Sequence, residues 1–250
     1  MTRFAAAALS ALLATAPAHA LELSDMSDAD RAAFGAQVRA YLMENPQVIM
    51  EAVALLEQRE QAAQAQADVS LVQVNSADLF EDGFSWVGGN PDGDITLVEF
   101  IDYRCGYCRR AHDEVAQLLN ADGNIRLIVK ELPILGEASV VSSRFAIAAK
   151  QVAGDTAYKQ VHDTMIELSG EPNAVTLRRI AEGLGLDADA IMERMDTDDV
   201  TAEIAATRAL AQRLQINGTP TFVLQDELLR GYLPADQMAA LVAQKRSAAN

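Results

Sequence analysis

Cys105-Gly106-Tyr107-Cys108 constrains this chain more than any other stretch. The two cysteines are the only thiols in 250 residues. They follow Ile95–Ile101, a run that is apolar on both faces, as buried parallel strands are. They also open a helical pattern that runs from Cys105 to about Leu119. Two cysteines exclude a disulfide scaffold and a four-thiolate zinc site. A disulfide closed over two residues restricts the unfolded chain little, so a purely structural bond gains little stability. Covalent haem needs His after the second cysteine, and Arg109 stands there. A copper(I) site on Cys105, Cys108 and His112 fits the helical spacing and stays an alternative, although a lone surface His is usually just solvated.

The chemistry favoured by this placement is thiol–disulfide exchange. Unpaired amides and the dipole at a helix N-terminus stabilise an anion, so Cys105 is expected to ionise easily. Such thiols have pKa values of about 3.5 to 7.5. Arg104, Arg109 and Arg110 add positive charge nearby. Cys108, one turn later, is expected to be less exposed and to act as the resolving thiol. No cofactor and no metal is expected at this site.

Charge and leader narrow the setting. Twenty Lys plus Arg stand against 36 Asp plus Glu, a net charge of −16. So acidic a chain repels phosphate backbones, and nucleic-acid binding is disfavoured. Residues 1–20 combine Arg3, a short apolar run and Ala18-His19-Ala20, which reads as a secretory signal peptide cut after Ala20. Its removal takes Arg3 away and leaves 19 − 36 = −17. Export places the mature chain in an oxidising compartment, the periplasm for a bacterial-type signal.

Residues 21–70 read as a helical arm. Ser27 with Asp30 resembles a capping box, and Asn45 with Pro46 reads as the N-cap and first position of a second helix. Ile49, Val53, Leu56, Glu60, Ala63 and Ala67 follow coiled-coil spacing. Self-association is the expected role, with docking on the body or a disordered tail as alternatives. Residues 71–250 form the second part. Its order is strand 95–101, helix 105–119, strand 125–130, a helical block over 138–215, short strands at 221–224 and 228–231 as a hairpin around Asp226-Glu227, and a last helix opened by Pro234. Residues 83–93 read as turns around short apolar pieces.

Val98 to Cys108, together with Gly218-Thr219-Pro220-Thr221-Phe222, resembles the DsbA-like thiol–disulfide oxidoreductases. The resemblance implies an α/β architecture: a thioredoxin fold with an inserted helical domain at 138–215, preceded by an N-terminal helical arm. It implies that Cys105 attacks, that Cys108 is the buried partner, and that Thr219-Pro220 carries a cis-proline beside the thiols, its backbone aimed at a substrate strand. Pro220 would also keep a metal or a second thiol at a distance. Glu99, six residues before Cys105, matches the family's buried acid, which accepts or relays the proton of Cys108; Lys130 is expected to pair with it from the neighbouring strand. Gly106-Tyr107 differs from the Pro-His of the strongly oxidising archetype, so the poise of the pair stays open. The arm, with Tyr41-Leu-Met-Glu-Asn-Pro46, resembles the N-terminal region of the suppressor-of-copper-sensitivity C (ScsC) proteins, some of them trimeric periplasmic isomerases. The expected partners are exported proteins bearing thiols or disulfides, a membrane redox partner, and other copies of the chain through residues 21–70, a trimer being suspected. The expected function is a periplasmic isomerase or reductant; a disulfide-forming oxidase and a copper-binding protein are the alternatives.

Overall fold

The computed structural model describes residues 26–248; the expected signal peptide and its cleavage at Ala20 lie outside them. The chain divides into two units, one ending at Arg59 and one beginning at Glu60.

The first unit contains α1 (Asp28–Glu44) and the start of α2 (Gln47–Val74). Ser27 caps α1, accepting the Asp30 N–H, and its hydroxyl donates to the Asp30 carboxylate. Asn45 does not cap α2. Its side-chain amide and its backbone N–H both turn back to the Tyr41 carbonyl and close α1, and α2 begins one residue after Pro46. An asparagine between two helices can serve either end, and here the carbonyls leaving α1 take it. Phe34, Val38 and Tyr41 on α1, and Ile49, Val53 and Leu56 on α2, remain exposed.

The second unit is built on a five-stranded sheet in the order β1-β3-β2-β4-β5: Trp86–Gly89, Ile125–Glu131, Ile95–Ile101, Thr221–Leu224 and Glu227–Arg230. β2 and β3 are parallel and every other pair is antiparallel. β1 was not expected. Gly88 and Gly89 read as turn residues, yet the strand pairs at the sheet edge. Gly89 is required there: its φ is +65° and a Cβ would lie 2.4 Å from the Ile125 carbonyl oxygen. The β4–β5 turn falls at Gln225-Asp226, one residue earlier than expected.

Alternation along the central strands feeds two cores. Leu97, Ile101, Leu127, Val129, Phe222 and Leu224 face one side. There they pack with α4 (Gly106–Asp122), α9 (Ala235–Ala248) and the helical insertion. Val98, Phe100, Ile128 and Val223 face the other side, against Val72 of α2, Leu79 of the short α3 (Ser76–Phe80), and Leu210 and Leu214 at the end of α8 (Asp198–Arg213). Each such side chain contributes about 1.5–3 kcal/mol by leaving water. The insertion holds α5 (Glu137–Glu167), broken at Gly154 where φ is +82°, then α6 (Ala174–Gly183), α7 (Ala188–Arg194) and α8. No helix among the described residues is long and apolar enough to cross a membrane.

Candidate redox site

The two thiols sit where β2 hands over to α4. Asp102, Tyr103 and Arg104 make the turn, and Cys105 is the N-cap residue, with extended backbone and no side-chain cap. Cys105 is 7% exposed and Cys108 1%. The Cys105 thiol donates to the Thr219 carbonyl at 3.1 Å, and the Asp102 N–H lies 3.5 Å from the Cys108 sulfur. The Thr219–Pro220 peptide is cis. It brings the loop before β4 against the thiols, so the Thr219 backbone faces Cys105.

The thiols are unequal. Cys105 is held down to about 5, first by a hydrogen bond from Cys108, then by the Thr219 side chain and the N–H groups of Cys108 and Tyr107, all working against burial. The helix-terminal amides therefore contribute as expected, but the second thiol contributes most. Cys108 is pushed far up, by that same hydrogen bond and by burial. The three arginines donate to, or lie over, groups other than the thiols. Arg104 reaches the Gly170 carbonyl and Glu171, and Arg109 the carbonyls of Ile166 and Leu168. Arg110 lies over the Tyr232 ring, 4.5 Å from its centre. Arg109 holds the end of α5 onto α4, and Arg104 ties the turn before α4 to the loop after α5.

Glu99 is 4% exposed and raised to about 8, because burial penalises its charge. It does not pair with Lys130. Glu99 stands opposite Val129 in the β2–β3 ladder, so Lys130 points to the other face. There it meets Asp82 at 2.6 Å, the Asp78 carbonyl and Ser85. Glu99 is left on the cysteine face of the sheet. His112 does not join the thiols either. Its Nε2 lies 3.3 Å from Asp163, and the group that comes within ligand reach is His112, His162 and Asp163, without either cysteine.

Several polar groups under the site escaped the sequence reading. The Asp102 carboxylate, fully buried, accepts the N–H groups of Arg104, Ile134 and Leu135 at 2.8–3.0 Å. Glu131 accepts the hydroxyls of Tyr103, Tyr158 and Ser143, and burial still raises it to about 7. Tyr103 also meets His162 Nδ1 at 3.0 Å, and burial keeps that imidazole neutral, at about 3. Single polar residues inside apolar runs carry no period by which to find them. Around the thiols, Tyr107, Ile134 and Leu135 are exposed apolar side chains.

These shifts give opposed pH dependences. The folded Cys105 lies below its ordinary 9.0, so its stabilisation is full above 9 and lost as pH falls through about 5. Glu99 and Glu131 lie above their ordinary 4.5, so theirs is full below 4.5 and lost as pH rises through about 7 to 8. The disulfide form retains the carboxyl effects and that of His162, which is held below its ordinary 6.5 and so offsets part of the carboxyl loss up to that pH. Its urea stability should fall by about 2 kcal/mol between pH 6.5 and 8, while the dithiol form stays flatter. Parallel curves for the two redox forms would contradict the low Cys105 value.

Comparison with known proteins agrees with this geometry. The family model "DSBA-like thioredoxin domain" matches residues 96–243, and "Copper resistance protein ScsC N-terminal domain" matches residues 30–63. A thioredoxin-like oxidoreductase from Silicibacter pomeroyi is 44% identical, with a TM-score of 0.64, covering 68% of this chain and 97% of that one. Proteus mirabilis ScsC in a compact conformation is 25% identical, with a TM-score of 0.62, covering 84% and 95%. Among curated sequences, the Na(+)/H(+) antiporter NhaA 1 of Salinispora arenicola is 30% identical over 62% of this chain, which spans only 24% of that relative's length.

Proposed function

Because the chain belongs to the DsbA-like thiol–disulfide oxidoreductases of thioredoxin fold, we propose that it exchanges disulfides with exported proteins in the periplasm, acting there as an isomerase or reductant. The observation that carries the reading is the inequality of the two thiols: Cys105 at about 5, beside a buried Cys108 held protonated. The Cys105 thiolate attacks one sulfur of a substrate disulfide, forms a mixed disulfide and expels a substrate thiolate. If that thiolate rearranges the substrate and returns, Cys105 leaves unchanged and the substrate is isomerised. If it does not, Cys108 loses its proton, attacks Cys105, and releases reduced substrate from an oxidised enzyme. Glu99, buried on the cysteine face, is suited to take that proton. A redox partner at the membrane then resets the pair. The Thr219 backbone and exposed Tyr107, Ile134 and Leu135 offer a surface for the client chain.

One observation favours the oxidase alternative. A thiolate stabilised to about 5 stabilises the reduced pair and makes the disulfide more oxidising. The arm argues the other way. Its exposed apolar positions suit association between copies through residues 21–70, a trimer being the suspected form, which would set active sites facing a shared space and hinder reoxidation. Reactivation of scrambled ribonuclease, compared with oxidation of reduced ribonuclease, separates the roles; oxidation without reactivation defeats the isomerase reading. Removal of residues 21–59 should turn the oligomer into a monomer in light scattering and lower reactivation more than oxidation. A mature chain that is already monomeric refutes the association.

A further inference from the structure

His112 on α4 and His162 and Asp163 on α5 bring three ligand atoms within 4.8 Å of one another. We propose that these three side chains form a binding site for a divalent first-row cation such as Zn2+ or Cu2+, distinct from the thiol pair.

The Tyr103 hydroxyl has one proton, and it donates that proton to Glu131 at 2.7 Å. The 3.0 Å contact with His162 Nδ1 must then use the proton on Nδ1. Nε2 of His162 is left with a free lone pair, its ring fixed by Tyr103 and stacked 5.7 Å from the Tyr158 ring. A metal-binding histidine is typically oriented by such a hydrogen bond on its other nitrogen. The second imidazole, His112, has its ring centre 5.3 Å from that of His162 and its Nε2 3.3 Å from the Asp163 carboxylate.

Around a tetrahedral ion with bonds of about 2.0–2.2 Å, ligand atoms stand about 3.4 Å apart. The present spread closes to that with a small turn of His112 and Asp163, which are partly exposed, onto His162, which is buried. Two imidazoles and one carboxylate suit zinc or copper(II). They are too few oxygens for calcium or magnesium, and without thiolate they do not select copper(I). Water completes the coordination from the open side.

One competing charge is already in place. Lys159, half exposed, spans both Asp163 oxygens at 2.7 and 2.5 Å. Its ammonium neutralises the carboxylate that the cation would use, so binding displaces Lys159 into solvent. This sets a sign that a merely structural cluster would not show: loss of Lys159 should strengthen binding.

The test is calorimetric titration of Zn2+ into the full mature chain with Cys105 and Cys108 oxidised to their disulfide, so that no thiolate competes. One equivalent should bind in the micromolar range or tighter. His112→Ala, a change at a partly exposed position, should weaken binding roughly tenfold or more. Lys159→Gln should strengthen it several-fold, and Co2+ should give a visible spectrum that His112→Ala abolishes. Absence of micromolar binding, binding indifferent to His112→Ala, or weaker binding in Lys159→Gln would each overturn the site.

Discussion

Cys105→Ser should reduce disulfide exchange to the uncatalysed background while leaving the fold intact. The serine hydroxyl does not ionise near neutrality and does not attack sulfur. The size of the loss follows from what the site does for the thiol. At pH 7 a free thiol with pKa about 8.5 is about 3% thiolate, whereas Cys105 at about 5 is almost wholly ionised. That roughly thirtyfold gain is about cancelled, because nucleophilicity falls with pKa along a slope of about 0.4–0.5, or about 25- to 56-fold over 3.5 units. The larger benefit comes at release, where a low-pKa sulfur leaves faster. Cys108→Ser should behave differently. It keeps the attacking sulfur and loses the resolving one, so mixed disulfides with substrate should accumulate on non-reducing gels. Cys108→Ala, which takes the first donor to the Cys105 sulfur away altogether, should move the ultraviolet thiolate titration up from about 5. A Cys105→Ser protein with residual catalysis would refute the assignment of the attacking thiol. An unmoved titration in Cys108→Ala would refute the Cys108 hydrogen bond as the main cause of the low value.

The frame of this site was readable because it is written in local chemistry. A double-faced apolar run reads as a buried strand, and a Cys-x-x-Cys just after it falls at a helix start. The cis Thr219–Pro220 peptide was readable through the resemblance of Gly218-Thr219-Pro220-Thr221-Phe222 to the DsbA-like proteins. What stayed hidden depends on register and on pairing across the chain. Glu99 and Lys130 lie on adjacent strands, and a one-residue offset in the ladder decides whether they meet; here it puts Lys130 beside Phe100 and onto Asp82. β1 was hidden because its edge position tolerates glycine, and the sheet supplies the hydrogen bonds that its own sequence does not advertise. His112 looked solitary because its neighbours are about fifty positions away, on the far half of α5. The partners of the arginines beside the thiols were hidden in the same way. Proximity in sequence suggested charge for the thiolate, and the fold directs Arg104 and Arg109 to carbonyls on the insertion.

Asp102→Ala should be among the most destabilising single changes in the second unit. The Asp102 side chain is fully buried and carries three backbone N–H groups from two segments: Arg104 in the turn before the thiols, and Ile134 and Leu135 in the loop leaving β3. The carboxylate thus ties the active turn to the loop that presents two exposed apolar side chains beside it. A buried donor left without a partner costs about 1–3 kcal/mol. Three such donors set an upper range, and water reaching the exposed Ile134 and Leu135 offsets part of it, so a loss of about 3–5 kcal/mol is expected. Asp102→Asn keeps one oxygen and should lose less, because the amide can still serve one side of the junction. The effect on activity should exceed what unfolding explains. Under conditions where Asp102→Ala is still folded, loosening the Ile134–Leu135 loop should raise KM for a protein substrate more than for a small disulfide, which needs no client surface. Urea unfolding within about 1 kcal/mol of the parent protein would show that these N–H groups find water without cost. An equal rise in KM for both substrates would remove the loop from the binding surface.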